Sequence, residues 1–250
     1  LITKFFFVKN KFFMNKFFRY IYFYLQIIYK KKLFKNEYYS TSSADALINF
    51  IFRNTAKGTY VDVGCNHPIQ NNNTYLLHKR GWEGVNIDLD KENIEVFNVA
   101  RSNDYNFNIA ASDSKGIKDV YFFHSSSEIN TLNKKISNSH STKTKSVFKI
   151  NTDTLDNIIS LTPYKNIDVL SIDVEGHELE VLNGFNFIKS QPKLIVIEYL
   201  DLSTNKLEVK NLDISIILKS SLYKFLVSKN YTLVNWLHSD LFFIHKNFRN

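Results

Sequence analysis

Residues 168–178 read Asp-Val-Leu-Ser-Ile-Asp-Val-Glu-Gly-His-Glu, an apolar run that stops at an acid. Two further polar groups, Glu175 and His177, follow at alternate positions around Gly176. A strand that only packed a core would gain nothing by ending this way. A strand that delivers two acids and an imidazole into a crevice would. In open parallel sheets, ligands bind beyond the carboxyl ends of the strands. This segment therefore predicts an α/β fold with its chemistry gathered at one edge of a sheet.

Two more strand ends fit that frame. Thr59-Tyr-Val-Asp-Val-Gly64 runs from a β-branched and aromatic strand into a glycine. Asn71-Asn-Asn-Thr74 then supplies capping residues for a helical stretch, Tyr75 to Arg80. Gly64 lets a ligand lie against the backbone, and Asn66 tolerates a left-handed conformation. Asp62 can accept hydrogen bonds from a cationic or hydroxylated ligand. Gly84-Val-Asn-Ile-Asp-Leu-Asp90 places Asp88 at the end of the next strand. An acid some twenty residues after the glycine turn is suited to the hydroxyls of a ribose. Asp113, after the third strand, is placed to meet an adenine amino group or to serve as a plain loop acid.

A dinucleotide site needs three glycines to bring backbone N–H groups onto a pyrophosphate. Here Asn66 and Ile69 stand at the second and third places. S-adenosylmethionine has no pyrophosphate, carries a positive sulfonium, and still needs an acid for its ribose. A lone glycine with Asp62 and Asp88 suits it better. The cofactor-binding candidates are Asp62, Gly64, Asn66, Thr74, Asp88 and Asp113.

The sequence resembles the FkbM-type S-adenosylmethionine-dependent methyltransferases. The resemblance is carried by Val61-Asp-Val-Gly-Cys-Asn-His-Pro68, Asn73-Thr-Tyr75, Gly81-Trp-Glu-Gly84, Ser171-Ile-Asp-Val-Glu-Gly-His-Glu178, Val181-Leu-Asn-Gly184 and Pro192-Lys-Leu-Ile-Val-Ile-Glu198. These blocks stand in the family's order over about residues 58–200. The resemblance implies a doubly wound, mostly parallel Rossmann-like methyltransferase fold and S-adenosylmethionine as methyl donor. It also implies a hydroxyl acceptor, often on a sugar or glycan precursor.

The candidate catalytic residues are Asp173, His177 and Glu175. A sugar hydroxyl is a poor nucleophile while protonated, so a positioned base helps. His177 is the first choice, because its ordinary pKa lies near neutrality. Asp173 is the second, or the group that orients His177. Each has a plainer reading: Asp173 as a helix cap, Glu175 as a first-turn acid, His177 as a surface histidine. His67 and the turn His238-Ser239-Asp240 are further polar groups with structural readings at least as good. No resident metal is expected, with a magnesium-assisted route through Asp173 and Glu198 as the lesser alternative. A nicotinamide enzyme on the same sheet, or a non-catalytic nucleoside- or glycan-binding domain at a membrane surface, are the rival functions.

Charge decides what the partner is not. The 250-residue chain carries a formal charge of +8. Nine bases, from Lys4 to Lys35, precede the first acid, Glu37; setting these nine aside leaves 23 of 32 bases against 24 acids. The body has no excess of bases to track phosphates, so nucleic acid is excluded as partner. Residues 1–36 read as a basic aromatic tail and 37–250 as the catalytic domain. Phe17–Tyr29 is too short to span a bilayer. It reads as a helix packed on the domain, or as a peripheral anchor with aromatics in the interface and Lys30–Lys32 at anionic headgroups. The single cysteine, Cys65, points to a reducing, cytoplasmic setting and excludes a thiolate zinc site.

Strands are expected at 59–63, 84–89, 105–111, 117–123, 167–172 and 193–199. Helices are expected at 91–100, 177–183 and 214–229, with Gly184 closing the second. Residues 124–146 read as a long loop, and Tyr231–Trp236 with Asp240–His245 as a terminal antiparallel hairpin.

Overall fold

The computed structural model describes residues 16–33, 37–124, 127, 129–139, 144, 146–199 and 213–248. The chain divides into two units, Leu1–Glu37 and Tyr38–Asn250. The first contains helix α1 (Lys16–Leu33), on which Phe18, Tyr20, Phe23, Tyr24 and Ile27 are exposed. No helix among the described residues is long and apolar enough to cross a membrane. Lys4, Lys9, Lys11 and Lys35, and the side chains of Lys30–Lys32, lie outside the described residues.

The second unit is built on a seven-stranded sheet. Its strands are β1 (Thr59–Val63), β2 (Glu83–Asp88), β3 (Tyr105–Asn108), β7 (Val169–Ile172), β8 (Leu194–Glu198), β9 (Tyr231–Leu237) and β10 (Asp240–His245). Their spatial order is β3-β2-β1-β7-β8-β10-β9. The first five are mutually parallel, and β10 runs antiparallel to both β8 and β9. The chain winds outward from β1 in one direction and from β7 in the other. The crevice between those two strands is thus the topological switch point, where doubly wound sheets bind ligands.

Alternation explains the two faces. Val61, Leu170, Ile172, Ile195, Ile197 and Phe243 point into one core cluster. Tyr60, Val169, Leu194, Val196 and Phe242 point into the other, against Ala44, Ile48 and Phe52 of the α2 region (helix Ala44–Ile51) and Trp82. Strands buried on both faces read as continuous apolar runs, which is why β7 and β8 are legible as sequence.

The structure corrects several expected boundaries. The strand expected at 105–111 is two strands: β3 stays in the main sheet, while β4 (Ala110–Ser112) joins a three-stranded sheet of order β4-β6-β5. The break falls at Ile109, whose N–H donates to the carbonyl of Asp88 at 3.1 Å. β5 (Gly116–Phe122) lies close to expectation, but β6 (Ser146–Thr154) and α6 (Leu155–Ser160) were not foreseen. The expected loop at 124–146 contains α5 (Lys134–Ser139) and a bridge from Thr131 to Tyr121. The helix expected at 214–229 is two, α8 (Ile214–Lys219) and α9 (Ser221–Ser228). Ser220 breaks it, with extended backbone and a side chain that caps Tyr223 N–H. Helices α3 (Tyr75–Lys79), α4 (Lys91–Ala100) and α7 (Glu178–Asn183) stand close to where they were expected. Gly184 does end α7, though not through a left-handed backbone: its φ is −81°. A Cβ there would lie 2.0 Å from the carbonyl oxygen of Ser112, so close packing demands the glycine.

Candidate active site

Three strand ends meet at the switch point. β1 runs into Gly64, whose φ is +77°. The Gly64 and Cys65 N–H groups both donate to the Ile87 carbonyl, at 2.9 and 3.2 Å. Asn66 has φ +48°, the left-handed conformation its short amide permits. Its N–H then donates to Asp88 Oδ2 at 2.8 Å, while Asp90 N–H donates to Oδ1 at 2.7 Å. Two backbone donors thus fix the Asp88 carboxylate at the end of β2. Burial raises its pKa to about 6 against the pull of those donors.

Asp62 and Thr74 have a different place. Asp62 Oδ2 accepts from Thr74 Oγ1 at 2.8 Å and Asn72 Nδ2 at 3.0 Å. Buried Arg101 donates to Thr74 Oγ1 at 2.8 Å, to Asn72 Oδ1 at 2.7 Å and to the Pro68 carbonyl. Asp62 and Thr74 therefore sit beneath the 65–74 loop and hold it, and neither is among the residues lining the two cavities described below. Arg101 was missed in the sequence, where a lone arginine after a helix carries no signal. Burial raises the Asp62 pKa, and the Arg101 guanidinium opposes that rise.

Beyond β7 the backbone turns sharply. Glu175 has φ +54° and Gly176 φ +88°. Glu178 Oε1 accepts the Gly176 N–H at 2.9 Å and the Val174 N–H at 3.3 Å. From the β5–β6 insertion, Thr131 Oγ1 donates to the Glu175 carbonyl and Asn133 Nδ2 to the Gly176 carbonyl, each at 2.7 Å. A Cβ on Gly176 would lie 2.5 Å from Ile136 Cγ1 of that insertion. The loop bearing the candidate acids is clamped from both sides.

Asp173 and His177 share the crevice but not a hydrogen bond among those found. His177 Nε2 is 2.9 Å from Ser112 Oγ, and Nδ1 is 3.6 Å from Glu180 Oε2. Burial lowers the His177 pKa, with Lys118 acting in the same direction. Asp173 is instead next to Glu198. Asp173 itself is exposed at the strand end, but desolvation by the walls of the site, then Asp240 and Glu178, raise its pKa; burial, then Asp173 and Glu175, raise that of Glu198. Asp113 turns outward: Lys118 donates to it at 3.0 Å, and this bond first of all lowers its pKa to about 2. It lines neither cavity.

Two cavities open at the strand ends. One is walled by Asp88, Ile109, Val174 and His177, with Ser127, Asn130 and Leu132 of the β5–β6 insertion on its far side. Its free volume is about 50 Å³. The other, of about 230 Å³, is lined by Ser40, Ser42, Asn73, Glu198, His238 and Asp240. Gly64, Asn66, Asp173 and Glu175 line both. His67 does not; its Nδ1 accepts the Ile69 and Gln70 N–H groups in a local turn.

The first cavity suits the adenosine part of S-adenosylmethionine by its donor and acceptor set. Asp88 is a fixed acid in its wall, Gly64 gives backbone access, and Ile109 and Val174 are apolar walls.

A parallel sheet wound both ways from a glycine-turn strand, with an acid at each neighbouring strand end, defines a doubly wound α/β domain of the class whose ligands bind at the switch point. Residues 62–225 match the model of the methyltransferase FkbM domain, and the chain belongs to that family. Among solved structures, it is similar to the methyltransferase FkbM of Methylobacillus flagellatus KT, with 14% identity and a TM-score of 0.45. That match covers 75% of this chain and 44% of the other, so this chain spans under half of its length. A TehB-like SAM-dependent methyltransferase from Corynebacterium glutamicum ATCC 13032 Kitasato matches with 10% identity and a TM-score of 0.42, over 90% of this chain and 96% of that one. A search of the curated proteins finds no match.

Proposed function

We propose that the chain is an S-adenosylmethionine-dependent O-methyltransferase acting on a hydroxyl of a sugar or glycan precursor. One observation carries this reading: the two cavities share the wall formed by Gly64, Asn66, Asp173 and Glu175. A donor on one side and an acceptor on the other would meet there, and in-line methyl transfer is mainly a proximity task.

When bound, S-adenosylmethionine supplies a methyl carbon activated by its sulfonium. Asp88 would accept from the ribose hydroxyls, and Ile109 and Val174 would pack the apolar side of the nucleoside. Asp173 and Glu175 line both cavities, and at that shared wall a carboxylate oxygen would orient an attacking hydroxyl and take its proton. Ser40, Ser42, Asn73, His238 and Asp240 are the hydrogen-bonding set a polyhydroxy compound requires. His177 lines only the donor cavity and has Ser112 and Glu180 as partners. In this reading the proton-accepting role therefore moves from His177 to Asp173. The basic aromatic tail supports a peripheral position at an anionic membrane face.

Calorimetry with S-adenosylmethionine, S-adenosylhomocysteine and NAD tests the cofactor. Binding of the first two and not the third is the expected result; binding of NAD alone refutes the reading. Transfer of labelled methyl to soluble glycosides then compares variants. Asp173→Asn should cut turnover by roughly 10²–10⁴, and His177→Gln by much less. The reverse ranking would return the role to His177.

A further inference from the structure

Three carboxylates crowd the head of the acceptor cavity. One oxygen from each of Asp173, Glu175 and Glu198 lies within 4.8 Å of the other two. All three residues line that cavity. Glu198 is only 7% exposed, and its Oε2 is buried without a hydrogen-bond partner. A buried carboxylate oxygen with no donor is costly to maintain. Acids this close raise one another's pKa unless a proton or a cation stands between them, and Asp173 and Glu198 are themselves hydrogen-bonded. The charges acting most strongly on Asp173 are those of Asp240, Glu178 and Asp62, which are acids as well.

The placement follows from the fold. Asp173 directly follows β7, Glu198 ends its parallel neighbour β8, and the left-handed turn at Glu175 brings a third carboxylate near them. The donor set is all oxygen, with no thiolate or imidazole in it. Such a set selects hard ions with flexible or water-completed shells over zinc or copper.

We propose that Asp173, Glu175 and Glu198 hold a hard divalent cation of the magnesium, manganese or calcium class at the junction of the two cavities. The ion satisfies the stranded Glu198 oxygen and neutralises the cluster. Its role toward the acceptor rests on the methyl-transfer reading: an ion there polarises the acceptor hydroxyl, and Asp173 can ligate through one oxygen and receive the proton at the other. The ion site itself does not depend on that reading.

The test uses the full chain after chelator treatment. Manganese is titrated with free ion followed by paramagnetic resonance, and magnesium and calcium are titrated by calorimetry. The expected result is one ion per chain, with affinity reduced at least tenfold by Glu198→Gln. Glu175→Gln, at a partly exposed position, should do the same without threatening the fold, and thermal melts check that both variants remain native. Absence of binding by all three ions at millimolar concentration overturns the proposal and leaves the acids sharing a proton. Binding unchanged by both substitutions overturns it too, since the ion then sits elsewhere. S-adenosylmethionine titrations separate the two ideas. A chain that takes the ion but no nucleoside refutes the functional reading alone; one that takes the nucleoside but no ion refutes this inference alone.

Discussion

The main-chain carbonyl of Asp173 occupies the space any side chain at position 64 would need: a Cβ on Gly64 would lie 1.7 Å from that oxygen. β1 and β7 are in register up to Val63 and Ile172, and Asp173 N–H donates to the Val63 carbonyl at 2.9 Å. The two strand ends therefore close on each other at the point where both cavities meet. The glycine is required by the protein's own backbone before any ligand arrives.

Gly64→Ala should consequently damage the fold as well as binding. The new methyl must displace the Asp173 carbonyl, and φ +77° is unfavourable for alanine. Together these should cost about 2–4 kcal/mol, read as a lower denaturant midpoint at unchanged slope. Native stability in this variant would show that the strand ends separate easily, and the shared wall would lose its basis.

Cofactor affinity should depend on pH through Asp88. Its pKa is raised to about 6 by burial, above the ordinary 3.8. In the free protein a raised acid pKa favours the folded state at low pH, and that contribution is lost as pH rises from about 4 through 6. Binding runs the other way, because ribose hydroxyls need the ionised carboxylate. Affinity for S-adenosylmethionine should fall as pH drops below about 6, and Asp88→Asn should remove this limb. At pH 7.5 the same substitution should weaken binding by roughly 1.5–3 kcal/mol. A parent and variant with parallel pH profiles in calorimetry would remove Asp88 from the ribose.

How far the sequence was legible follows from where each signal resides. β1, β7 and β8 are buried on both faces, so apolar runs mark them, and the terminal hairpin is marked by its turn. The β3/β4 division was hidden because Tyr105, Phe107 and Ile109 alternate without interruption across a point where the chain changes sheets. β6 follows a Ser/Asn/Lys-rich stretch and is mostly exposed, so it lacks an apolar face to betray it. In the site, Asp88 and Asn66 are brought together by turn geometry that local residue types announce. The bonds of Asp62 to Thr74 and Asn72, and of these to Arg101, join positions up to 29 apart in sequence, and no local pattern encodes them.

The tail should contribute surface affinity. Its nine bases precede any acid, and α1 exposes aromatic and aliphatic side chains. A chain beginning at Tyr38 should lose salt-sensitive binding to vesicles containing phosphatidylserine, since each basic residue near such a surface contributes about 1 kcal/mol. Turnover of a soluble acceptor should be unchanged. Equal vesicle binding with and without residues 1–37 in co-sedimentation would assign any membrane contact to the body.

Arg101 should matter for the site without touching a ligand. Its guanidinium bonds the Pro68 carbonyl, Asn72 and Thr74, and those last two bond Asp62. Arg101→Met keeps much of the side-chain volume but leaves Asp62 buried without its compensating charge. Breaking a buried charge arrangement from one side costs about 3–5 kcal/mol, so the melting temperature should fall steeply. Adding Asp62→Asn to that background should recover part of the loss, because the stranded charge is then gone; the two changes should be far from additive. Asp62→Asn alone should lower stability more than it lowers affinity for S-adenosylmethionine. The opposite outcome, a stable Asp62→Asn protein with cofactor binding abolished, would move Asp62 from supporting the loop to contacting the ligand.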